Sequence, residues 1–203
     1  MPDELFPTDS CDAMAGRTAA WFVYLIALTD CTAFKVGFSS NPLQRIYSFS
    51  RRYFERFDLR ESRLLPLPDC DGARAVEAVI KTELADCRME CPSWVPQAAG
   101  GHTEWFSAVH FDRAQERLHD AVGTVPLVSV FDFIQVELRR LSPQFESWAW
   151  RQSQQNSAHY VSEAAWAESR RSLREWLDAY RFFELSLFED DPEVQRHVLG
   201  CLR

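Results

Sequence analysis

The chain has 203 residues, 46% apolar, 26% charged and 13% aromatic, with only 7 glycines and 10 prolines. That composition excludes collagen-like, low-complexity and disordered classes and leaves enough apolar side chains for a sizeable core. Twenty-two basic residues against 30 acidic give a net charge of −8, which on average disfavours a partner made of phosphates.

Residues 1–19 read as an N-terminal extension. Its longest apolar neighbour, Ala19 to Leu28, is ten residues long, about half of the roughly twenty that a bilayer needs. Asp3, Glu4, Asp9 and Asp12 stand where a leader would carry cations, so no membrane anchor and no signal peptide are expected. With six cysteines and no leader, free thiols in a reducing, cytoplasmic setting are expected.

Trp21 to Leu28 and Phe34 to Phe38 are β-rich runs separated by Thr29-Asp30-Cys31-Thr32, which predicts an antiparallel hairpin. Ser39 or Ser40 can cap a helix with Pro42 in its first turn, running to about Arg52 on the spacing of Leu43, Ile46 and Tyr47. Phe57 to Leu65 predicts a third strand, and a Pro/Asp/Gly-rich break then precedes a helix from Ala73 to about Arg88. Gly100 and Gly101 introduce Thr103-Glu104-Trp105-Phe106, and Asp112 opens a helix ending near Gly123. Beyond Pro126 the pattern is helical: Leu127 to Leu141, Gln144 to about Gln152, Ser162 to about Phe188, and Pro192 to Leu199. The expected fold is α+β, a three-stranded antiparallel sheet flanked by helices over residues 20–123, followed by a helical region over 124–203.

Charge is unevenly placed. From Lys35 to Arg63 seven cations face three anions, a local +4, interleaved with Phe49, Tyr53, Phe54 and Phe57. Fixed cations with flat rings suit a nucleic acid, while a solvated helix face with inward aromatics explains the same letters. Cys70, Cys87, Cys91, His102 and His110 can be drawn as a zinc site, but the spacing is loose and Cys87 falls on the apolar stripe of its predicted helix, which favours buried structural thiols.

Five pieces stand in a recognisable order. Phe22-Val23-Tyr24 is followed eleven residues after its tyrosine by Lys35 of Phe34-Lys35-Val36-Gly37, and ten residues later by Arg45. Glu77 then lies on the next long helix, and Glu104-Trp105-Phe106 closes the module. This order resembles the GIY-YIG nuclease superfamily, in a phage and bacterial branch with lysine in the second motif, although the first motif here lacks its glycine. The resemblance implies a metal-dependent endonuclease acting on DNA. Glu77 would hold one Mg²⁺ or Mn²⁺, and Arg45 would pair with the scissile phosphate. Tyr24, its phenol acidified by Lys35 and metal-bound water, would be the general base, and Lys35 a second phosphate clamp. Arg51, Arg52 and Arg56 would bind substrate, with Glu104 an accessory residue whose commoner role is to tie down a turn.

The residues alone leave alternatives. Tyr24 in an apolar strand is by default a core aromatic. The stripe Ala73, Val76, Ile80, Leu84 is flanked by Glu77 and by Glu83, and only the resemblance chooses Glu77. From Phe111 onward 11 basic residues meet 15 acidic ones, so Arg139, Arg140, Arg170, Arg171 and Arg174 read as solvated, and the aromatic-rich helices as core or as a surface for docking or self-association. The competing reading is a catalytically silent nucleic-acid-binding or protein-interaction module, an accessory or antagonist protein.

Overall fold

A computed structural model of the chain describes residues 21–123, 125–155, 162–189 and 191–202, so the N-terminal extension lies outside the described residues. These residues fall into two compact units, one ending at Ile134 and one beginning at Gln135.

The first unit is built on β1 (Trp21–Leu28) and β2 (Ala33–Ser39), the expected hairpin, paired antiparallel with Tyr24 opposite Gly37 and Ile26 opposite Lys35. The sheet has five strands rather than three. β3 (Phe57–Leu67) lies on the other side of β1, β4 (Trp105–Ser107) extends β2, and β5 (Val128–Ser129) extends β3, giving the order β4-β2-β1-β3-β5 with every pairing antiparallel. The two edge strands have three and two residues, too few for alternation to announce them.

Alternation along β1 divides the sheet into two apolar faces. Val23 and Leu25, with Phe34, Val36 and Leu65, join one buried cluster with α3 (Cys70–Glu83) and α4 (Phe111–Val122) through Ala73, Ile80, Ala114 and Leu118. Phe22, Tyr24 and Ile26 belong to the opposite set, as do Lys35 and Gly37 by their pairing. Burial on both faces is why β1 reads as a continuous hydrophobic run.

Two helix boundaries differ from expectation for local reasons. α1 (Pro42–Phe49) is capped by Asn41, whose side chain accepts from the Gln44 N–H at 3.0 Å, and it stops at Phe49 because Ser50 turns to extended backbone. A separate four-residue turn, α2 (Tyr53–Arg56), then buries Tyr53 and Phe54. α3 begins three residues early because Asp69 caps it, accepting from the Gly72 N–H at 2.7 Å, so Gly72 lies inside the first turn. It ends at Glu83, and a 3₁₀ turn over Ala85–Cys87 carries Cys87 off the apolar stripe to a half-exposed position.

The second unit is helical. α5 (Val130–Gln155), whose first five residues belong to the first unit, runs unbroken through Pro143, where two helices were expected. Leu138 and Leu141 before the proline, and Phe145 and Trp148 after it, are all buried, so one continuous face outweighs the hydrogen bond lost at Pro143. α6 (Glu163–Phe182), capped by Ser162, packs Leu173, Trp176 and Tyr180 into that core, with Phe145 stacked on Tyr180 at 5.1 Å between ring centroids. The Tyr180 hydroxyl donates to the Leu138 carbonyl at 2.8 Å, and α7 (Pro192–Gly200) completes the unit. No helix among the described residues is long and apolar enough to cross a membrane.

Candidate functional site

β1 and β2 set the first two groups. Tyr24 is 1% exposed and lies across Gly37 of the neighbouring strand. A Cβ at Gly37 would stand 2.2 Å from the Tyr24 hydroxyl oxygen, so this position is glycine for space and not for backbone conformation. Lys35, also fully buried, rests over the rings of Phe49 and Trp105 at 5.4 and 5.5 Å. Its ammonium has three acceptors: Gly101 O at 2.8 Å, Glu104 Oε2 at 2.9 Å and Val36 O at 3.4 Å. All three donors are thereby engaged, and Lys35 holds Glu104 and the 101 carbonyl in place.

α1 brings in Arg45, whose guanidinium lies 4.5 Å from the Phe49 ring centre. Its Nε donates to the Tyr24 hydroxyl oxygen at 3.3 Å and its Nη1 to the Ala99 carbonyl. α3 contributes Glu77 and, one turn on, Lys81. The Lys81 ammonium bridges two carboxylates, Glu77 Oε2 at 3.5 Å and Glu104 Oε1 at 3.2 Å. Tyr24, Arg45, Lys35, Glu104, Lys81 and Glu77 thus form two linked charge chains that meet at Gly101. A Cβ there would lie 2.9 Å from each of Arg45 Nη2, Glu104 Oε2 and Lys35 Nζ, and the residue has φ of +69°. Both its space and its backbone require glycine.

The loop before β4 fastens this cluster through alternate carbonyls. Gln97 O accepts from His102 Nε2 at 3.2 Å, Ala99 O from Arg45, and Gly101 O from Lys35. The carbonyl at Gln97 fixes a proton on His102 Nε2, and the other ring nitrogen, Nδ1, lies 3.2 Å from the Cys91 sulfur. Burial pushes that thiol up from its ordinary value. Cys70, Cys87 and Cys91 are half-exposed free thiols instead of buried ones, and among the described residues no three His, Cys, Asp or Glu groups stand within reach of one ion.

Electrostatics changes the role expected for Tyr24. Burial, opposed by Arg45, pushes its phenol up to about 12. Lys35 does not acidify it, because that ammonium is turned to Glu104. In the resting site Tyr24 is a neutral phenol whose oxygen accepts from Arg45 and whose own proton remains to be donated. Burial also lowers Lys35, against the pull of Glu104, and raises Glu77 despite Lys81. Burial would raise Glu104 too, but Lys35 and Lys81 outweigh it and hold that carboxylate below its ordinary range. A raised folded pKa for Tyr24 stabilises the fold fully below pH 10 and loses that contribution as pH rises toward 12. The parent should therefore lose about 2–3 kcal/mol more than Tyr24→Phe between these limits, measured by urea unfolding at each pH. Parallel losses in the two proteins would refute the assignment.

Arg51, Arg52 and Arg56 lie outside this cluster. Arg52 pairs with Glu55 and lies over Phe54 at 5.2 Å, Arg56 lies over Trp94 at 5.4 Å, and Arg51 is half-buried. In the second unit Arg140 and Arg171 are paired with Glu137 and Glu168, and Arg170 and Arg174 donate to the Leu202 carbonyl. From sequence, Lys81 has no site role, and Gly101 is marked only as part of the turn before Thr103. The one available signal was that Lys81 sits four residues after Glu77, on the same helix edge.

Residues 22–125, just over half of the chain, match the family model of the T5orf172 domain. The chain belongs to the T5orf172 domain family. This corrects the resemblance to the GIY-YIG nuclease superfamily: Tyr24, Lys35, Arg45, Glu77 and Glu104 all fall inside a stretch that fits a different domain family. Short motifs in order, one of them without its glycine, were too weak to decide between the two. No curated protein and no solved structure is significantly similar to the chain.

The carboxylates gathered in this cluster are Glu77 and Glu104, the pair that shares the Lys81 ammonium. Two carboxylates with no sulfur or imidazole would suit a hard ion that keeps most of its waters, such as Mg²⁺ or Mn²⁺.

Proposed function

We propose that the T5orf172 domain of this chain hydrolyses phosphodiester bonds in DNA with the help of one divalent cation, Mg²⁺ or Mn²⁺. The observation that carries this reading is the convergence at Gly101, where Arg45, Lys35 and Glu104 meet beside a neutral, proton-bearing Tyr24. Glu77 would hold the cation, with Glu104 beside it. When bound, the ion supplies Lewis-acid stabilisation of phosphate charge and makes water more acidic.

The remaining work falls to the chain's own side chains. Arg45, fixed through Nε and Nη1, keeps Nη2 directed at the glycine cradle, where a guanidinium can take a non-bridging phosphate oxygen. Tyr24 donates its O–H to an oxygen that gains charge, a role that a phenol protonated up to about 12 performs at neutral pH. Lys35 acts through Glu104 and the Gly101 carbonyl, as a positioning residue. The stacked guanidiniums of Arg52 and Arg56 offer flat cationic faces for the rest of the nucleic acid. Free thiols at Cys31, Cys70, Cys87, Cys91 and Cys201 agree with a reducing compartment, the cytoplasm.

Supercoiled plasmid incubated with Mg²⁺ tests the reading. The parent should nick it, and Arg45→Ala and Glu77→Gln should each lower the rate by at least about a hundredfold, the scale of one lost charge-stabilising contact. An inert, folded parent in both Mg²⁺ and Mn²⁺ would remove the enzyme reading. The other reading, a catalytically silent nucleic-acid-binding module, is favoured by Lys81, which occupies both carboxylates, and it predicts salt-dependent binding without cleavage.

A further inference from the structure

The two carboxylates of the cluster, Glu77 and Glu104, are clamped by one ammonium. Lys81 Nζ lies 3.5 Å from Glu77 Oε2 and 3.2 Å from Glu104 Oε1. Lys35 cannot stand in for it, since its donors are spent on Glu104 Oε2 and two backbone carbonyls. The two lysines differ in their surroundings. Lys35 is fully buried beneath Phe49 and Trp105, whereas the Lys81 side chain is 26% exposed on the edge of a helix. A partly exposed ammonium on a flexible four-carbon stem at the edge of the cluster can swing toward solvent when another cation takes its partners, a route closed to the buried Lys35.

We propose that Lys81 is a displaceable counter-ion of the cation site, holding Glu77 and Glu104 together until a divalent ion takes their oxygens. This rests on the reading of Glu77 as a cation ligand. A divalent ion offers twice the charge of Lys81 and can bind both oxygens at close range, so the exchange favours the ion once its hydration is partly replaced. Until then the ion competes with a tethered cation that is always present. The site therefore loads weakly on its own and more strongly when a phosphate adds its oxygens, which ties cation loading to substrate.

Mn²⁺ binding to the full chain, followed by loss of the free-ion electron paramagnetic resonance signal at pH 8, tests this without reference to cleavage. The alkaline pH keeps Glu77 ionised when Lys81 no longer supports its charge. Lys81→Met keeps the stem and removes the competitor, and it should bind Mn²⁺ about tenfold more tightly than the parent, the scale of one screened charge near the ion. Lys81→Arg keeps the charge and should bind within about twofold of the parent. Equal or weaker binding by Lys81→Met, with Glu77→Gln abolishing binding in the parent, would overturn the counter-ion role and leave the cation ligand standing. Unchanged binding in Glu77→Gln would overturn the cation assignment and the counter-ion role together. Circular dichroism of both Lys81 variants checks that the fold is intact, and an unfolded Lys81→Met passes the decision to Lys81→Gln.

Discussion

Lys35→Met is expected to destabilise the α+β unit by about 3 kcal/mol, the low end of what breaking a buried ion pair costs. Methionine has nearly the length and volume of the lysine stem, so packing beside Phe49 and Trp105 is largely kept and charge is lost. What remains is an unanswered Gly101 carbonyl and a Glu104 with Lys81 as its surviving partner. The low end of the range applies because the Glu104 side chain is 19% exposed and keeps that second cation. Lys35→Met combined with Glu104→Gln should recover part of the loss, since a neutral amide suffers less than a carboxylate from a missing ammonium. Urea unfolding of parent, single and double variants measures this, and a Lys35→Met protein as stable as the parent would sink the structural role.

Gly37→Ala should cost a further and different kind of stability, about 3 kcal/mol or complete loss of folding, through overpacking. Its Cβ would stand 2.2, 2.4 and 2.7 Å from the oxygen, Cζ and Cε2 of Tyr24, so the whole ring must move. No flexible tip can yield, because the ring is held between strands and its hydroxyl is fastened to Arg45. Tyr24→Phe in the Gly37→Ala background should bring no rescue, since the ring carbons remain too close. Tyr24→Ser removes the clash but opens a cavity where the buried ring was, so it should recover only part of the lost stability and none of the proposed activity. A Gly37→Ala protein with parental melting temperature would show that the strands can part at this point.

Much of the first unit was legible because its letters obey two periods. Trp21 to Leu28 and the Leu43, Ile46 spacing carried β1 and α1 directly. The missed strands, Trp105–Ser107 and Val128–Ser129, are pairings decided by a neighbour and not by their own pattern. Pro143 misled in the other direction, since the local rule for proline yields to four buried side chains around it. At the site, Tyr24, Lys35, Arg45, Glu77 and Glu104 were singled out and do come together. Their electrical states were not legible: the loss of acidity at Tyr24 comes from burial, and Lys35 is turned toward Glu104 by a fold that brings residue 104 to it. Family membership also exceeded what motif order could decide.

The three carbonyls at Gln97, Ala99 and Gly101 have a consequence for how such a loop can vary. They reach His102, Arg45 and Lys35 through atoms that every residue possesses, so the side chains of Gln97 and Ala99 are free to change without disturbing those bonds. Spacing is a different matter. Gln97–Ala99 form a 3₁₀ turn, and removing or adding one residue before Gly101 would carry the Ala99 and Gly101 carbonyls out of reach of Arg45 and Lys35. What this stretch stores about the site is a count of residues and one glycine, a record written in length that comparison by residue type passes over.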